Sequence, residues 1–325
     1  MGKKKCKHYS GIGGQAVLEG VMMKNKEEYA VSVRKPDGTI ETKKEKYQGV
    51  WGDKKITKIP FIRGVFNFVD SLVLGMQTLT WSASFYDDED SDGTKTDQAL
   101  DKVTGGNGEK ILMDLTVAFS IILAIGIFIV LPYGISLFFQ QYIQNNSLLA
   151  ILEGAVRLVV FLTYVVAIAS MTDIRRVYMY HGAEHKCINC LERGKPLTVK
   201  NVMKSSRQHK RCGTSFLLFV MLISIVLFIF IRVENPAMRL VVRILLIPVI
   251  AGISYEVIRL AGRSDNILVN LISAPGMWLQ RLTTREPDKK MVEVAIASVE
   301  AVFDWKQYLR DEFGYVFEED EEPEE

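Results

Sequence analysis

Four long apolar segments constrain this chain more than any other feature. They occupy residues 115–139, 148–170, 215–233 and 237–260. A helix that rises 1.5 Å per residue needs about 20 apolar residues to cross the roughly 30 Å of hydrocarbon in a bilayer. The connections between them are short, long and short. The sequence therefore predicts a mainly α, polytopic membrane protein with four transmembrane helices in two hairpins, plus a small cytoplasmic α+β part.

The composition supports this prediction. The 325 residues are 48% hydrophobic and 24% charged, with a mean hydropathy of +0.12, and the two kinds of residue are segregated along the chain. Disordered, collagen-like and coiled-coil chains have other compositions. A net charge of +2 is too small for the concentrated basic face that nucleic-acid binding requires, so no direct nucleic-acid binding is expected.

Lysine and arginine residues indicate the orientation. Residues 171–214 contain ten of them, whereas residues 140–147 contain none. Loops that stay in the cytoplasm are enriched in these residues. The basic start of the chain lacks the apolar core of a signal peptide. We therefore expect both termini and the long middle connection to be cytoplasmic.

Residues outside the apolar segments fall into shorter regions. Alternating residues at 29–34, followed by a Lys-Pro-Asp-Gly turn, predict a β-hairpin over residues 29–47. The polar, turn-rich stretch before the first span predicts a linker. The expected organisation is a cytoplasmic β-containing module (1–58), an amphipathic interfacial helix (59–84), a flexible acidic linker (85–110), the first transmembrane hairpin (111–170), a cytoplasmic Cys/His metal loop (171–214), the second hairpin (215–260), and a cytoplasmic C-terminal helical region with an acidic tail (261–325).

Three of the four cysteines and three of the four histidines lie between His181 and Cys212. Cytoplasmic thiols stay reduced, so this clustering favours a metal site over disulfides. One pattern is Cys187-x2-Cys190 followed, after 18 residues, by His209-x2-Cys212. It matches the spacing of structural zinc sites, and a Cys3His set closes a tetrahedron.

A second pattern, His181-x2-Glu184-His185, overlaps the first. On a helix the two histidines face the same way and can share an ion, while Glu184 can act as the catalytic base on water. Glu19 and Glu256 are candidate additional ligands. Six ligands exceed the need of one ion, so either two ions bind or one site uses a subset. The expected cofactor is zinc or another divalent transition metal.

Charges within the apolar segments form a separate group. Glu153 and Arg157 are four residues apart in the second segment, and Arg243 enters the fourth at a similar depth. Unpaired charge in hydrocarbon is costly, so these residues are expected to pair. Such an intramembrane ion network predicts either a structural lock between the hairpins or a path for a substrate or ion.

Several longer motifs resemble the YqhQ-like family of bacterial membrane proteins, which are described as predicted metal-dependent enzymes. The motifs occupy residues 13–23, 181–190, 207–215, 275–280 and 282–287, and the resemblance extends over residues 11–303. It implies a metal site and a multi-pass location in the bacterial cell membrane. It implies no particular reaction.

These patterns support one leading hypothesis and two others. The first is a metal-dependent hydrolase that acts on a membrane-associated peptide or lipid. The second is a non-enzymatic membrane adaptor whose cytoplasmic loop is held by a structural zinc and binds a protein partner. A metal sensor or transporter is less favoured, because the apolar segments contain no His or Cys. The expected partners are the lipid bilayer and a membrane-associated substrate or protein; the sequence indicates no oligomeric state.

Overall fold

A computed structural model of the chain describes residues 8–52, 54–86, 108–231, 233, 235–263 and 266–317. The chain forms two compact units. The first comprises Met1–Phe85, Val165–Val220 and Pro248–Glu325, and the second comprises Tyr86–Tyr164 and Met221–Ile247. Most of the predicted acidic linker and the acidic tail from residue 318 lie outside the described residues. The domain boundaries expected from the sequence stay predictions.

The N-terminal region is a four-stranded antiparallel meander. Its strands are β1 (Gly13–Val17), β2 (Gly20–Asn25), β3 (Glu28–Arg34) and β4 (Ile40–Lys46), paired in that order. The predicted hairpin is confirmed by the pairing of β3 with β4. In its turn Gly38 has a φ of 88°, and the backbone N–H of Thr39 donates to Asp37 Oδ1 at 2.8 Å.

Helices make up most of the remainder. The described ones are α1 (Ile62–Ala83), α2 (Gly108–Ile125), α3 (Leu131–Phe139), α4 (Asn146–Ala169), α5 (Thr172–Leu191), α6 (Val199–Met203), α7 (Gly213–Phe230), α8 (Pro236–Leu245), α9 (Ile247–Arg263), α10 (Ile267–Thr283), α11 (Lys289–Val302) and α12 (Trp305–Phe313). A 3-10 helix, Lys55–Lys58, precedes α1, and a π-helical turn, Gly126–Val130, joins α2 to α3. The chain is mainly helical, as predicted.

In the first unit the sheet lies between two helical layers. Because side chains alternate along a strand, Met22 and Val31 face one side and pack with Leu74 of α1. Met23 and Ala30 face the other side, where α5 and α11 pack. The helix predicted for residues 59–84 is thus found as α1, with one side against the sheet.

Residues 171–214 form less of a loop than the sequence predicts. Most of them are helical, in α5 and the short α6. Although this stretch is rich in charge, Tyr180, Ala183, Ile188 and Leu191 recur at helical spacing and are buried in the core. That packing, and not the average polarity of the segment, determines its structure.

The last part of the C-terminal region contains two helices, α11 and α12. After α11, the side chain of Asp304 caps α12 by accepting a hydrogen bond from the Gln307 N–H at 2.9 Å. Helix α12 ends at Phe313, and the following residue, Gly314, has a left-handed φ of 68°. Glycine adopts this conformation without the steric cost of a Cβ.

Four helical stretches among the described residues are long and apolar enough to cross a membrane. They are Ile111–Phe139, Ser147–Ala169, Gly213–Phe230 and Ala237–Gly262. They coincide with the four predicted segments to within a few residues. The mainly helical chain with four candidate spans and a small antiparallel sheet therefore agrees with the coarse fold expected from the sequence.

The second unit contains the expected group of charges. Glu153 accepts from Arg157 Nη2 at 2.8 Å and lies 2.5 Å from Arg243 Nη2. Arg157 also donates to Ser224 Oγ at 2.9 Å, and the Arg243 guanidinium lies over the ring of Tyr133 at 4.6 Å. The three charged side chains are almost fully buried. One carboxylate thus holds two guanidinium groups.

Removing this carboxylate is expected to be costly. Glu153→Gln leaves two buried guanidinium groups without their counter-charge, which should lower the free energy of unfolding by about 3–5 kcal/mol. The matched control is Glu28→Gln, whose exposed pair with Lys44 is worth about 1 kcal/mol or less. Unfolding of the purified full-length chain in detergent measures both. Equal effects of the two substitutions would contradict the role of Glu153 as the buried counter-charge of Arg157 and Arg243.

Ser298 of α11 forms two hydrogen bonds to the backbone of the sheet. Ser298 is fully buried; its hydroxyl donates to the Val21 carbonyl at 2.5 Å and accepts from the Ser32 N–H at 3.0 Å. Ser298→Ala leaves a buried N–H unsatisfied, so the free energy of unfolding should fall by about 1–3 kcal/mol. Ser71→Ala, at an exposed serine of α1, should change it by less than about 0.5 kcal/mol.

Candidate metal centre

Helix α5 brings two histidines together with a cysteine from another element. His181 and His185 are one turn apart on α5, and Cys212 lies in the turn before α7. The Cys212 Sγ is 3.3 Å from His181 Nε2, and the three ligand atoms lie within 4.8 Å of one another. In the part of the chain that the structure describes, this is the group of His, Cys and carboxylate side chains that could hold a metal.

The spacing of these atoms fits a tetrahedral ion. Zinc binds histidine nitrogen at about 2.0 Å and cysteine sulfur at about 2.3 Å, which separates the ligand atoms by about 3.3–3.5 Å. The 3.3 Å between Cys212 Sγ and His181 Nε2 already matches this separation, and the other distances, which are at most 4.8 Å, need to shorten by no more than about 1.5 Å. Two imidazoles and a thiolate are ligands that suit zinc and other late divalent transition metals.

Backbone carbonyls set the tautomers of both histidines. His181 Nδ1 lies 2.9 Å from the Thr283 carbonyl oxygen, and His185 Nδ1 lies 2.7 Å from that of Arg207. A carbonyl oxygen only accepts, so each Nδ1 carries a hydrogen and donates it. Each Nε2 is then the ring atom left to bind an ion. Histidine ligands in metalloproteins are oriented by such outer contacts.

The cysteine of the group favours its ionised form. Burial opposes the thiolate, but the neighbouring charges of His181 and His185 outweigh it and hold the pKa of Cys212 well below its usual value. Burial likewise opposes the charged form of His181, yet the Cys212 thiolate raises the pKa of this histidine to about 9. A thiolate is the form of cysteine that binds metals, and binding an ion there releases the histidine proton.

Glu184 lies beside the three ligand atoms. Its carboxylate is 3.8 Å from His181 Nε2 and 4.0 Å from His185 Nε2. Burial raises the pKa of this carboxyl group, against the opposing effect of the two histidines and of a hydrogen bond from the Gly14 backbone. A carboxyl group with a raised pKa next to a metal site is suited to accept and return a proton.

Two glycines allow the backbone to approach this region closely. A Cβ on Gly14 of β1 would lie 2.6 Å from the Met22 carbonyl oxygen and 2.9 Å from Glu184 Cγ. A Cβ on Gly182 of α5 would lie 2.0 Å from the Arg285 carbonyl oxygen. No side chain fits at either position. Gly182 is therefore required where α5 meets the chain after α10, although glycine lowers helix propensity.

Helix α10 holds the turn that carries Cys212. The Gln280 side chain accepts from the His209 N–H at 2.8 Å and donates to the His209 carbonyl at 2.8 Å and to Ser215 Oγ at 2.8 Å. Gln280 is fully buried. Since His209 and Ser215 flank Cys212, this one amide fixes the position of the thiol against the histidines of α5.

The structure does not bring Cys187 and Cys190 to the metal group. Residues of an α-helix are about 100° apart around its axis, so Cys187 lies about 200° and Cys190 about 140° from His185. Cys187 is buried in the core with its pKa well above the usual value because of burial. Cys190 donates to the Pro196 carbonyl at 3.5 Å, and burial raises its pKa to about 11. The Cys3His set is not assembled.

His209, the fourth member of that set, is engaged elsewhere. Its Nε2 is 3.3 Å from the carboxylate of Glu192, which also pairs with Arg211. Burial alone would raise the pKa of Glu192, but the hydrogen bond from His209 and the charge of Arg211 hold it well below the usual range. The ring centroids of His209 and His185 are 5.9 Å apart. The buried group of His209, Glu192 and Arg211 therefore lies next to the candidate metal centre.

The two candidate additional ligands form ion pairs away from the group. Glu19 accepts from Arg176 Nη2 at 2.6 Å and from the Tyr180 hydroxyl at 3.2 Å. Glu256 accepts from Arg63 Nε at 2.6 Å. Neither carboxylate belongs to the set of atoms that could hold the ion.

Reasoning from ligand spacing did not identify the residues that support the site. They are Gly14, Gly182, Arg207, Gln280 and Thr283, and most contribute backbone or amide groups that no ligand pattern includes. Their positions nevertheless fall inside the motifs quoted above for the family resemblance. Those motifs, unlike the cysteine spacing, mark the segments that meet at the candidate metal centre.

Comparison with known proteins assigns a family. A family described as "Protein of unknown function (DUF1385)" matches residues 59–305, which is more than half of the chain. The chain belongs to this family. "Uncharacterized protein YqhQ" of Bacillus subtilis (strain 168) is 34% identical over 287 residues, covering 88% of this chain and 90% of that protein. No solved structure matches. The family resemblance is confirmed, and it brings neither a reaction nor a cofactor.

Gly14 offers a test of the close approach. Gly14→Ala places a methyl group against the Met22 carbonyl and Glu184, and such overpacking should lower the free energy of unfolding by about 1–3 kcal/mol. Gly13→Ala is the matched control, because a Cβ there meets nothing within 4 Å. Unfolding of the two purified variants measures the difference. If the Gly14 variant were as stable as the Gly13 variant, the close packing of β1 on α5 would be contradicted.

Proposed function

We propose that this chain is a metal-dependent hydrolase of the bacterial cell membrane that acts on a membrane-associated peptide or lipid. The observation that carries this proposal is the group of His181, His185 and Cys212, whose ligand atoms lie within 4.8 Å of one another, with the Glu184 carboxylate beside it. Catalytic zinc sites use three protein ligands of this kind and keep one position open.

Each residue has a distinct role in the proposal. His181, His185 and Cys212 hold zinc or another divalent transition metal. When bound, such an ion polarises a carbonyl or phosphoryl oxygen and lowers the pKa of water. Glu184 accepts the proton of the attacking water and returns it to the leaving group. Thr283 and Arg207 hold the imidazoles by their carbonyl oxygens, and Gln280 holds the Cys212 turn.

The membrane setting is part of the proposal. The four candidate spans enter the bilayer, and the surplus of Lys and Arg in residues 171–214 supports a cytoplasmic position for this segment and for both termini. The candidate metal centre then lies at the cytoplasmic side, where Cys212 stays reduced.

A second candidate is the non-enzymatic adaptor, and one observation favours it. Glu184 is 4% exposed and His185 1%, and the Glu184 carboxylate is near enough to both Nε2 atoms to become a fourth ligand after a small shift. A His2CysGlu set would close the tetrahedron and leave a structural ion that shapes the surface for a protein partner.

Metal content tests the ligand set. The purified full-length chain should hold about one ion, and His181→Ala or Cys212→Ser should weaken binding by more than the 10- to 100-fold that loss of a supporting contact costs. Cys187→Ala and Cys190→Ala are the matched controls and should retain the ion. Elemental analysis with protein quantification measures this. An ion that is retained by His181→Ala and lost by Cys187→Ala would refute the proposed set.

Glu184→Gln separates the two candidate functions. If the chain is a hydrolase, the variant keeps its ion but does not turn over the substrate. The substrate then accumulates in cells that carry the variant, and mass spectrometry of their membrane lipids and peptides, compared with those of wild-type cells, should detect it. For the adaptor, the variant loses the ion because a neutral amide replaces a charged ligand. Retention of the ion together with an unchanged lipid and peptide profile would contradict the hydrolase proposal.

A further inference from the structure

Helix α10 has two faces of different character. Its inner face carries the buried residues Ser273, Gly276, Leu279, Gln280 and Thr283. Its outer face carries large apolar side chains that nothing in the described chain covers, and we call these residues the outer face of α10: Ile267, Leu268, Leu271, Ile272 and Trp278. Leu271 is 72% exposed, whereas Leu279 is 1% exposed. Such a continuous apolar face on one helix marks an interaction surface.

The outer face of α10 begins next to a candidate span. Helix α9, the last part of the span Ala237–Gly262, ends at Arg263, and α10 starts at Ile267. Four Cα steps cover at most about 14 Å even when fully extended. The apolar side chains at the start of α10 therefore lie within this distance of the end of α9. If α9 ends at the membrane boundary, they are near that boundary too.

Helix α1 provides a second apolar stripe beside the same span. Its residues Gly64 and Asn67 contact α9, the first by close packing on Tyr255 and the second by a hydrogen bond to the Tyr255 hydroxyl at 2.9 Å. Further along α1, Leu72 and Met76 are exposed on one side. Two helices that adjoin α9 thus each carry uncovered apolar side chains.

Polar groups lie where an interfacial helix requires them. Lys210 donates to Asn270 of α10 at 2.6 Å, which places an ammonium group next to the outer face, and exposed Arg281 lies in the last turn of the helix. Cationic groups beside an apolar face are typical of helices that lie in the plane of a membrane, because they meet the anionic headgroups while the apolar side enters the acyl chains.

We propose that the outer face of α10 lies just below the headgroups, among the adjoining parts of the acyl chains, in the leaflet where the α9 span ends. Helix α10 is then an interfacial helix in addition to the four spans. This proposal depends on the membrane insertion that is part of the proposed function. The opposite side of the same helix holds His181 through the Thr283 carbonyl and the Cys212 turn through Gln280. The candidate metal centre is thereby held at the bilayer surface, within reach of molecules that reside in the membrane.

Depth-dependent quenching tests this surface. The full-length chain, with Cys6 replaced by Ser, receives one new cysteine that carries an environment-sensitive fluorophore. The labelled chain is reconstituted into vesicles of neutral and anionic phospholipids. Leu271→Cys reports on the outer face. Ile267→Cys, at a side chain that is 85% exposed, repeats the measurement should the first variant fold poorly. Nitroxide lipids carry the quencher either near the headgroup or near the end of the acyl chain.

Two control positions make the result decisive. Phe119→Cys lies in the candidate span Ile111–Phe139 and Val316→Cys follows α12; both side chains are largely exposed and apolar. We expect loss of fluorescence at Leu271→Cys, stronger with the quencher near the headgroup, loss at Phe119→Cys, and little change at Val316→Cys.

The other outcomes overturn the inference in distinguishable ways. Quenching at Phe119→Cys without quenching at Leu271→Cys would leave membrane insertion standing and remove the lipid contact of α10. A Leu271→Cys label that is protected from water-soluble reagents but unquenched by lipid would show a protein, such as a second copy of the chain, on this face. Absence of quenching at every position would contradict both the membrane insertion of the spans and the lipid contact of α10, which depends on it.

Discussion

The candidate metal centre depends on how closely helix α5 approaches its neighbours. A peptide carbonyl meets α5 at Gly182, and β1 meets it at Gly14, at distances that leave no room for a Cβ. These approaches bring backbone groups to the functional side chains: the Gly14 N–H reaches Glu184, and the Thr283 carbonyl reaches His181. Segments that are far apart in the sequence thereby form one small buried site. Burial raises the pKa of Glu184 there, whereas the charges of the neighbouring histidines lower the pKa of Cys212 against the effect of burial.

The coarse fold and part of the site could be predicted from the sequence. Long apolar segments and strand alternation have a direct physical meaning, and the hairpin of β3 and β4 and the four candidate spans follow from them. The pair His181 and His185 was predictable because four residues make about one helical turn. The cysteine spacing was misleading for the same reason: α5 continues through residue 191, so Cys187 turns toward the core. A pattern of ligands predicts a site only if the backbone bends where the pattern requires.

Other parts depend on contacts that no local pattern contains. Cys212 belongs to the site because Gln280, 68 residues away along the chain, holds the turn on which it lies. Glu256 has a suitable side chain and spacing but is neutralised by Arg63 on another helix. Inside the second unit, by contrast, the pairing of Glu153 with two arginines was predictable, since a buried charge has few alternatives to pairing.

The hydrogen bonds to the two Nδ1 atoms have a consequence for how this site can change over time. Both acceptors are main-chain carbonyls, and every amino acid supplies the same carbonyl. A single replacement at position 207 or 283 therefore cannot delete the acceptor, as it could if a carboxylate side chain oriented the ring. The tautomer of each histidine is therefore set by the position of the backbone and not by the identity of a side chain. Substitutions at these two positions can change the ring orientation only by moving the backbone.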